Sequence, residues 1–227
     1  MRHRGLLRIA ASAAVLLGLG LQAGAPLYAE PAEGSPSEIV RQVEAAYARA
    51  QDIQAGFTQR VTFKDFDTPF LSKGQVYLTR GKMRWDYQEP SKQQIFVNQE
   101  EVLYYVPEHQ QVIKSSLSAE TDSQVPLGLL SGTTRLSEHF DVSLQSPPGK
   151  TYRLRLVPKE KGIHTGPIEI EVSAPTYLIQ KITLDGQNGN RSVFEFSKFV
   201  LNQGLKEGTF SFVIPKGVEV VVPPPLR

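Results

Sequence analysis

The chain of 227 residues contains no cysteine, and that absence removes several chemistries at once. No disulfide can staple the fold, no thiolate can hold zinc, and no lipid can be attached through a cysteine behind a signal peptide. Histidine is scarce too: His3, His109, His139 and His164 stand in separate segments, without metal-ligand spacing. There is no G-x-S-x-G elbow, no H-E-x-x-H pair and no P-loop. With neither a nucleophile–base pair nor a metal or phosphate cradle to nominate, neither an enzyme nor a cofactor is expected. An excess of one charge is also missing, since 25 Lys and Arg face 23 Asp and Glu. Nucleic-acid binding, which needs clustered positive charge, is therefore not expected.

What is present begins with a bipartite N-terminus. Arg2, Arg4 and Arg8 form a basic segment, and Ile9 to Leu21 is apolar apart from Ser12 and glycines. This is the pattern of a secretory signal peptide, and the run is shorter than the ~20 residues of a membrane span. Cleavage is expected after Ala29; the other small-residue site, after Ala25, is disfavoured by Pro26. Without residues 1–29, Arg2, Arg4 and Arg8 leave the count and 22 Lys and Arg face 23 Asp and Glu. Residues 30–227 are expected to form one domain, near neutral and large enough to bury a core without staples.

Ser35 followed by Pro36 is an N-cap with proline at the first helical position. Ile39, Val43, Ala46, Ala50 and Ile53 then recur at three- and four-residue steps, predicting an amphipathic helix that ends near Asp52. From Phe57 the period becomes two. Val76 and Leu78 oppose Gln75, Tyr77 and Thr79; Met83, Trp85 and Tyr87 oppose Lys82, Arg84 and Asp86. Tyr152, Leu154 and Leu156 oppose Arg153 and Arg155, and Ile168, Ile170 and Val172 oppose Glu169 and Glu171. Further strands are predicted at 94–97, 101–106, 111–114, 140–144, 178–184, 192–200 and 209–214, separated by turns such as 147–149 and 185–190. The Asp185 to Asn190 segment lacks the spacing of a calcium loop and reads as a hairpin turn.

About ten or eleven strands with one apolar and one charged face predict a mainly β fold with a few helices, its sheet wet on one side. A sheet of that size curls into an open, incomplete antiparallel barrel whose concave face needs filling. The fillers are the N-terminal helix and a helical region at 125–140 carrying Leu127, Leu129, Leu130, Leu136 and Phe140. Gly128 and Gly132 interrupt that region, so it is either a movable lid or a plain connection. Residues 220–227, with three prolines, are expected to be an extended tail. Glu169 and Glu171 could be imagined as a catalytic pair, but a solvated strand face explains them. Arg80 breaks the pattern. Being in phase with Val76 and Leu78, it is either a guanidinium on the dry face or a residue beyond a strand that ends at Thr79, reaching water.

The segments Phe57-Thr58-Gln59, Gly74 to Trp85, Glu89-Pro90, Val102-Leu103-Tyr104-Tyr105, Pro126 to Gly132, Leu136 to Phe140, Phe210-Ser211-Phe212 and Pro215 to Val218 occur in an order that resembles the outer-membrane lipoprotein carrier (LolA-type) family. The resemblance implies a strongly curved, incomplete barrel with helices as a lid over an apolar cavity. It implies a periplasmic carrier, expected to be monomeric, that takes lipoproteins from an inner-membrane ABC-type, ATP-driven releasing complex and passes them to an outer-membrane receptor. Val76, Leu78, Met83, Trp85, Tyr87, Leu127 and Leu130 would then wall the acyl-chain cavity. In the family pattern, an arginine at the place of Arg80 hydrogen-bonds to the lid when the cavity is empty and lets go when acyl chains enter. Two positions depart from the family: Gly81 stands where proline is usual, and Met83 where an aromatic is usual. Physically the role is needed, because each methylene of an acyl chain is worth roughly 0.8 kcal/mol in water. The competing expectations are a non-enzymatic lipid-binding regulator of the same half-barrel fold, a lipidated receptor that the missing cysteine excludes, and a lipid hydrolase without a nucleophile.

Overall fold

The computed structural model describes residues 34–66, 68–98, 101–116, 130, 135–146, 149–159, 165–186 and 189–223. The expected signal peptide, Leu127, Leu129 and most of the expected lid lie outside these residues. Helix α1 (Pro36–Arg49) starts as its sequence dictates: the Ser35 hydroxyl accepts the Glu38 N–H at 3.3 Å, with Pro36 at the first helical position. Ile39, Val40 and Val43 are its buried residues. The helix ends before Asp52 because Ala50 turns extended and Asp52 already belongs to a strand.

Twelve strands form one sheet: β1 (Asp52–Thr62), β2 (Phe70–Thr79), β3 (Lys82–Glu89), β4 (Gln93–Val97), β5 (Glu101–Val106), β6 (Gln111–Ser116), β7 (Phe140–Leu144), β8 (Thr151–Pro158), β9 (Thr165–Ser173), β10 (Ile179–Gly186), β11 (Arg191–Leu201) and β12 (Glu219–Val221). A one-turn helix α2 (Leu136–His139) precedes β7. The order is β12-β6-β5-β4-β3-β2-β1-β11-β10-β9-β8-β7. Two meanders, β1 to β6 and β7 to β11, are thus joined where β1 pairs antiparallel with β11, and the sheet remains open at β7 and β12.

Ring contacts reveal its curvature. Two strands separate β3 from β11, which in a flat sheet would hold them roughly 14 Å apart at the usual strand spacing. Yet the Trp85 ring on β3 lies 5.7 Å from Phe194 and 5.9 Å from Phe196 on β11. Only a sheet concave toward these rings brings them into edge contact. Ile39, Val40 and Val43 of α1, with Leu130 and Leu136, share the core of that concavity with Val76, Met83, Trp85, Leu154 and Ile170. Full burial of such side chains contributes about 2 kcal/mol each.

Close approach is enforced at Gly74. A Cβ there would meet the Asp86 carbonyl oxygen at 2.0 Å and the Phe57 ring at 2.8 Å, beside the register shift between Lys73 and Gly74. Gly74→Ala is therefore expected to destabilise the fold by about 1–3 kcal/mol, the usual effect of overpacking, in urea unfolding. An unchanged midpoint would refute the close approach.

The outer face of the C-terminal meander is the solvated surface its alternation predicts. Glu169 pairs with Arg155 at 3.3 Å and Glu171 with Arg153 at 3.3 Å, while Lys181 reaches Glu171 and Glu195. On the other half, the expectation of a wet outer face is corrected. The predicted strand at 209–214 does not form. Residues Glu207–Thr209 make a single 3-10 turn and the chain then crosses β3 to β6. Lys82 pairs with Glu207, the Arg84 guanidinium donates to the Thr209 carbonyl at 3.3 Å, and the Phe212 ring stacks on Phe96 at 4.8 Å and lies 5.1 Å from Tyr105. A segment running across strands has no ladder to join, so it is held by side chains instead. It ends in β12, which pairs parallel with β6 from Glu219 to Val221; part of the expected tail is thus an edge strand.

Candidate functional site

The wall of the concave face follows from strand phase. Within the β2–β3 hairpin, Val76 lies opposite Trp85 and Leu78 opposite Met83, so all four point inward. Met83 is 0% and Trp85 1% exposed, and Val76 and Leu78 are buried with them. Met83 occupies the inward position where the family usually has an aromatic, and it keeps the phase. Trp85 is packed edge-on against Phe57 at 4.9 Å, and Phe57 likewise against Tyr87 at 4.9 Å. Tyr87 is half-buried; its hydroxyl donates to Gln59 Oε1 at 3.0 Å, and burial raises its pKa above the ordinary phenol range. Among the described residues, Trp85 Nε1 and Glu44 Oε1 are buried without a hydrogen-bond partner.

Side chains of α1, with Leu130 and Leu136, occupy the concavity. A cavity of about 230 Å³ lies at the rim, where the end of α1, the start of β1, the end of β2 and Leu130 meet. Its floor includes Ile53, Leu78 and Leu130, and Arg49, Asp52 and Arg80 contribute its charged lining.

Of the two placements open to Arg80, the structure adopts the second. The strand ends at Thr79, and Arg80 is exposed in the two-residue turn to β3. Gly81, the other turn residue, has φ 73°, a conformation closed to the proline usual in the family. Arg80 nevertheless borders the same cavity as Leu130, a described residue of the expected lid.

Asp52 is a central residue of this rim that the pattern of apolar positions does not mark. It is 4% exposed, and its carboxylate accepts the backbone N–H groups of Gln203 (2.9 Å), Gly204 (2.7 Å) and Leu205 (3.1 Å). Burial pushes its pKa up, but the three donors together outweigh burial and hold it below the ordinary range. This grip turns the chain after β11 and sends it to the outer face. Neighbouring bonds extend the clasp: Gln51 N–H donates to Asn202 Oδ1 at 2.8 Å, and the Thr79 hydroxyl to the Gln51 carbonyl at 3.0 Å. The Tyr47 hydroxyl accepts the Ile179 N–H at 3.3 Å, tying α1 to β10.

Among the described residues, no three His, Asp or Glu side chains converge to hold a metal ion, and no helix is long and apolar enough to cross a membrane.

Residues 48–213 match the family described as "Outer membrane lipoprotein carrier protein LolA". An outer-membrane lipoprotein carrier protein of Methylococcus capsulatus is 30% identical over 197 residues, covering 85% of this chain and 90% of its own length. One from Coxiella burnetii is 28% identical over 189 residues, covering 82% and 87%. The fold is shared with an uncharacterized conserved protein from Thermus thermophilus, at a TM-score of 0.53 and 15% identity over 82% of this chain and 98% of that one. The mainly β open sheet with its N-terminal helix and the match across most of its length agree: the chain belongs to the LolA family, whose members are periplasmic lipoprotein carriers and not enzymes.

Proposed function

We propose that this protein binds the acyl chains of lipoproteins in the concavity of its sheet and ferries them from the inner-membrane ABC-type releasing complex to an outer-membrane receptor, as a soluble periplasmic monomer that leaves its signal peptide behind. The observation that carries the reading is the apolar wall of Val76, Leu78, Met83 and Trp85, sealed by α1 and Leu130 rather than by a second sheet. Helical pieces laid on a sheet can leave without breaking a strand ladder, so the filling is exchangeable.

The form in which α1 and Leu130 lie against that wall is the closed one. When α1 and Leu130 swing away, acyl chains take the places of their apolar side chains. The exchange is hydrocarbon for hydrocarbon, so the net affinity is far below the full hydrophobic value of the chains. Closure competes with cargo and lowers apparent affinity by the fraction of time the site is open. A carrier needs this compromise: enough cover to stop aggregation, and a ready exit at the receptor. Arg80, beside Leu130 at the rim, is the latch that weights the closed form.

The test is mass spectrometry of protein purified from the periplasm without detergent. Lipid-modified N-terminal cysteine peptides are expected among the bound species. Their consistent absence, with free lipid or a protein partner in their place, would overturn the carrier reading.

A further inference from the structure

The β1–β2 hairpin ends in an aromatic tip that the concave site does not use. Phe66, Phe70 and Leu71 are 62%, 58% and 53% exposed. The half-buried Phe63 joins them, its ring edge-on to Phe70 at 5.5 Å and to Phe66 at 6.1 Å. Two hydrogen bonds hold the tip in this form: the Phe66 N–H donates to the Phe63 carbonyl at 3.1 Å, and the Lys64 N–H to Asn190 Oδ1, just before β11, at 3.2 Å. The tip also projects. Pairing of β2 with β3 stops at Lys73, so among the described residues 70–72 have their ladder partners in β1 alone.

The distribution of these side chains tells what covers them. Phe70 lies opposite Val61 and shares the phase of Val76, whereas Leu71 lies opposite Arg60 on the other face of the ribbon. Apolar groups thus leave the hairpin on both faces and at its end. A single protein surface seats against one face of a ribbon, while a lipid interface closes round all of them. Charge points the same way. Between positions 60 and 73, Arg60, Lys64 and Lys73 outnumber Asp65 and Asp67, a balance of +1. Leu71, Arg60 and Lys73 border one groove of about 320 Å³, whose Glu195 lies 3.6 Å from Lys181. Lys73 also meets Glu89 at 3.0 Å, in an exposed pair.

We infer that the β1–β2 tip docks the protein on an anionic lipid surface, Phe66, Phe70 and Leu71 entering the headgroup layer and Arg60, Lys64 and Lys73 meeting its phosphates. Basic side chains set behind an apolar tip reach that level by extending their stems. Asp65, in the turn itself, limits the depth, because a carboxylate is costly to take into hydrocarbon. Docking is therefore shallow and reversible, weaker than the ~10⁴ M⁻¹ of a single myristoyl chain. It needs no cargo, and it stands apart from the carrier reading.

Flotation of the mature protein, residues 30–227, with vesicles of phosphatidylethanolamine and phosphatidylglycerol tests this. Wild type is expected to float with them, and F66S/F70S to bind at least about fivefold more weakly. V213S, which removes an 86% exposed valine from the C-terminal segment instead, should bind as wild type does. Vesicles of phosphatidylcholine, which carry no net charge, should bind at least about threefold less protein. Should the double variant misfold, F66W decides: its new indole should emit at shorter wavelength on the anionic vesicles and be quenched by lipids brominated near the headgroup. Wild type that does not float, a double variant that floats as well, a V213S loss of equal size, or an F66W spectrum unmoved by lipid would overturn docking at the tip. So would a dimer in sedimentation that F66S/F70S abolishes, since a second copy would then cover the rings. Equal binding to both kinds of vesicle would overturn the anionic surface.

Discussion

Asp52→Ala is expected to lower the unfolding free energy by about 3 kcal/mol, because three backbone N–H groups lose the one charged acceptor that holds them in a turn. Asp52→Asn, which keeps one acceptor oxygen, should lose about half of that. The effect depends on pH in a defined direction. The folded carboxyl titrates below its ordinary value of 3.8, so its stabilisation is complete above that value and is lost as the pH falls through the folded pKa. Urea unfolding of wild type and Asp52→Asn should show a gap at neutral pH that narrows below about pH 4. A gap of constant size down to strong acid would mean that the charge contributes nothing. Because this clasp starts the segment that crosses β3 to β6, Asp52→Ala should also loosen the stack of Phe212 on Phe96, visible as faster amide exchange in 205–221.

On the proposed latch role, Arg80→Leu is expected to load cargo but to deliver it to the outer-membrane acceptor at least about tenfold more slowly, since a charged hydrogen bond to the lid would be worth about 1.5–3 kcal/mol to the closed form. Loss of the latch shifts the balance from closed and empty toward open and filled. The bound chains then face less competition from the lid, and release slows while affinity rises. Leucine also adds apolar surface at the rim beside Leu130, which acts in the same direction. Transfer from preloaded carrier to acceptor vesicles, measured beside the affinity for a fluorescent acyl probe, checks both halves. Delivery at the wild-type rate would sink the latch. A parallel drop in loading and delivery would point instead to a damaged fold, and thermal unfolding separates the two.

Trp85, the protein's one tryptophan, is almost fully buried, yet its Nε1 finds no acceptor among the described residues. An unmet donor in an apolar site disfavours that arrangement by roughly 1–3 kcal/mol. On the proposed carrier reading, this would keep the closed form from being too stable to open.

The amino-acid sequence by itself determined the local order. Ser35-Pro36 started the helix, the change of period after it marked strands, and alternation assigned Val76, Leu78, Met83, Trp85 and Tyr87 to one face and Glu169 and Glu171 to the other. These features follow from neighbours two to four residues apart, and such spacing is written directly in the chain. Only the tertiary structure decided the rest. That β1 pairs with β11, that Asp52 is buried because the turn after β11 supplies its three donors, and that residues 209–214 cross the outer face instead of adding a strand all depend on contacts more than a hundred residues apart. Arg80 shows the boundary: its phase was legible, but whether the strand continued under it depended on the turn that Gly81 makes to β3. Periodicity says which side a residue faces; what it meets there is set by chain closure, which no local pattern encodes.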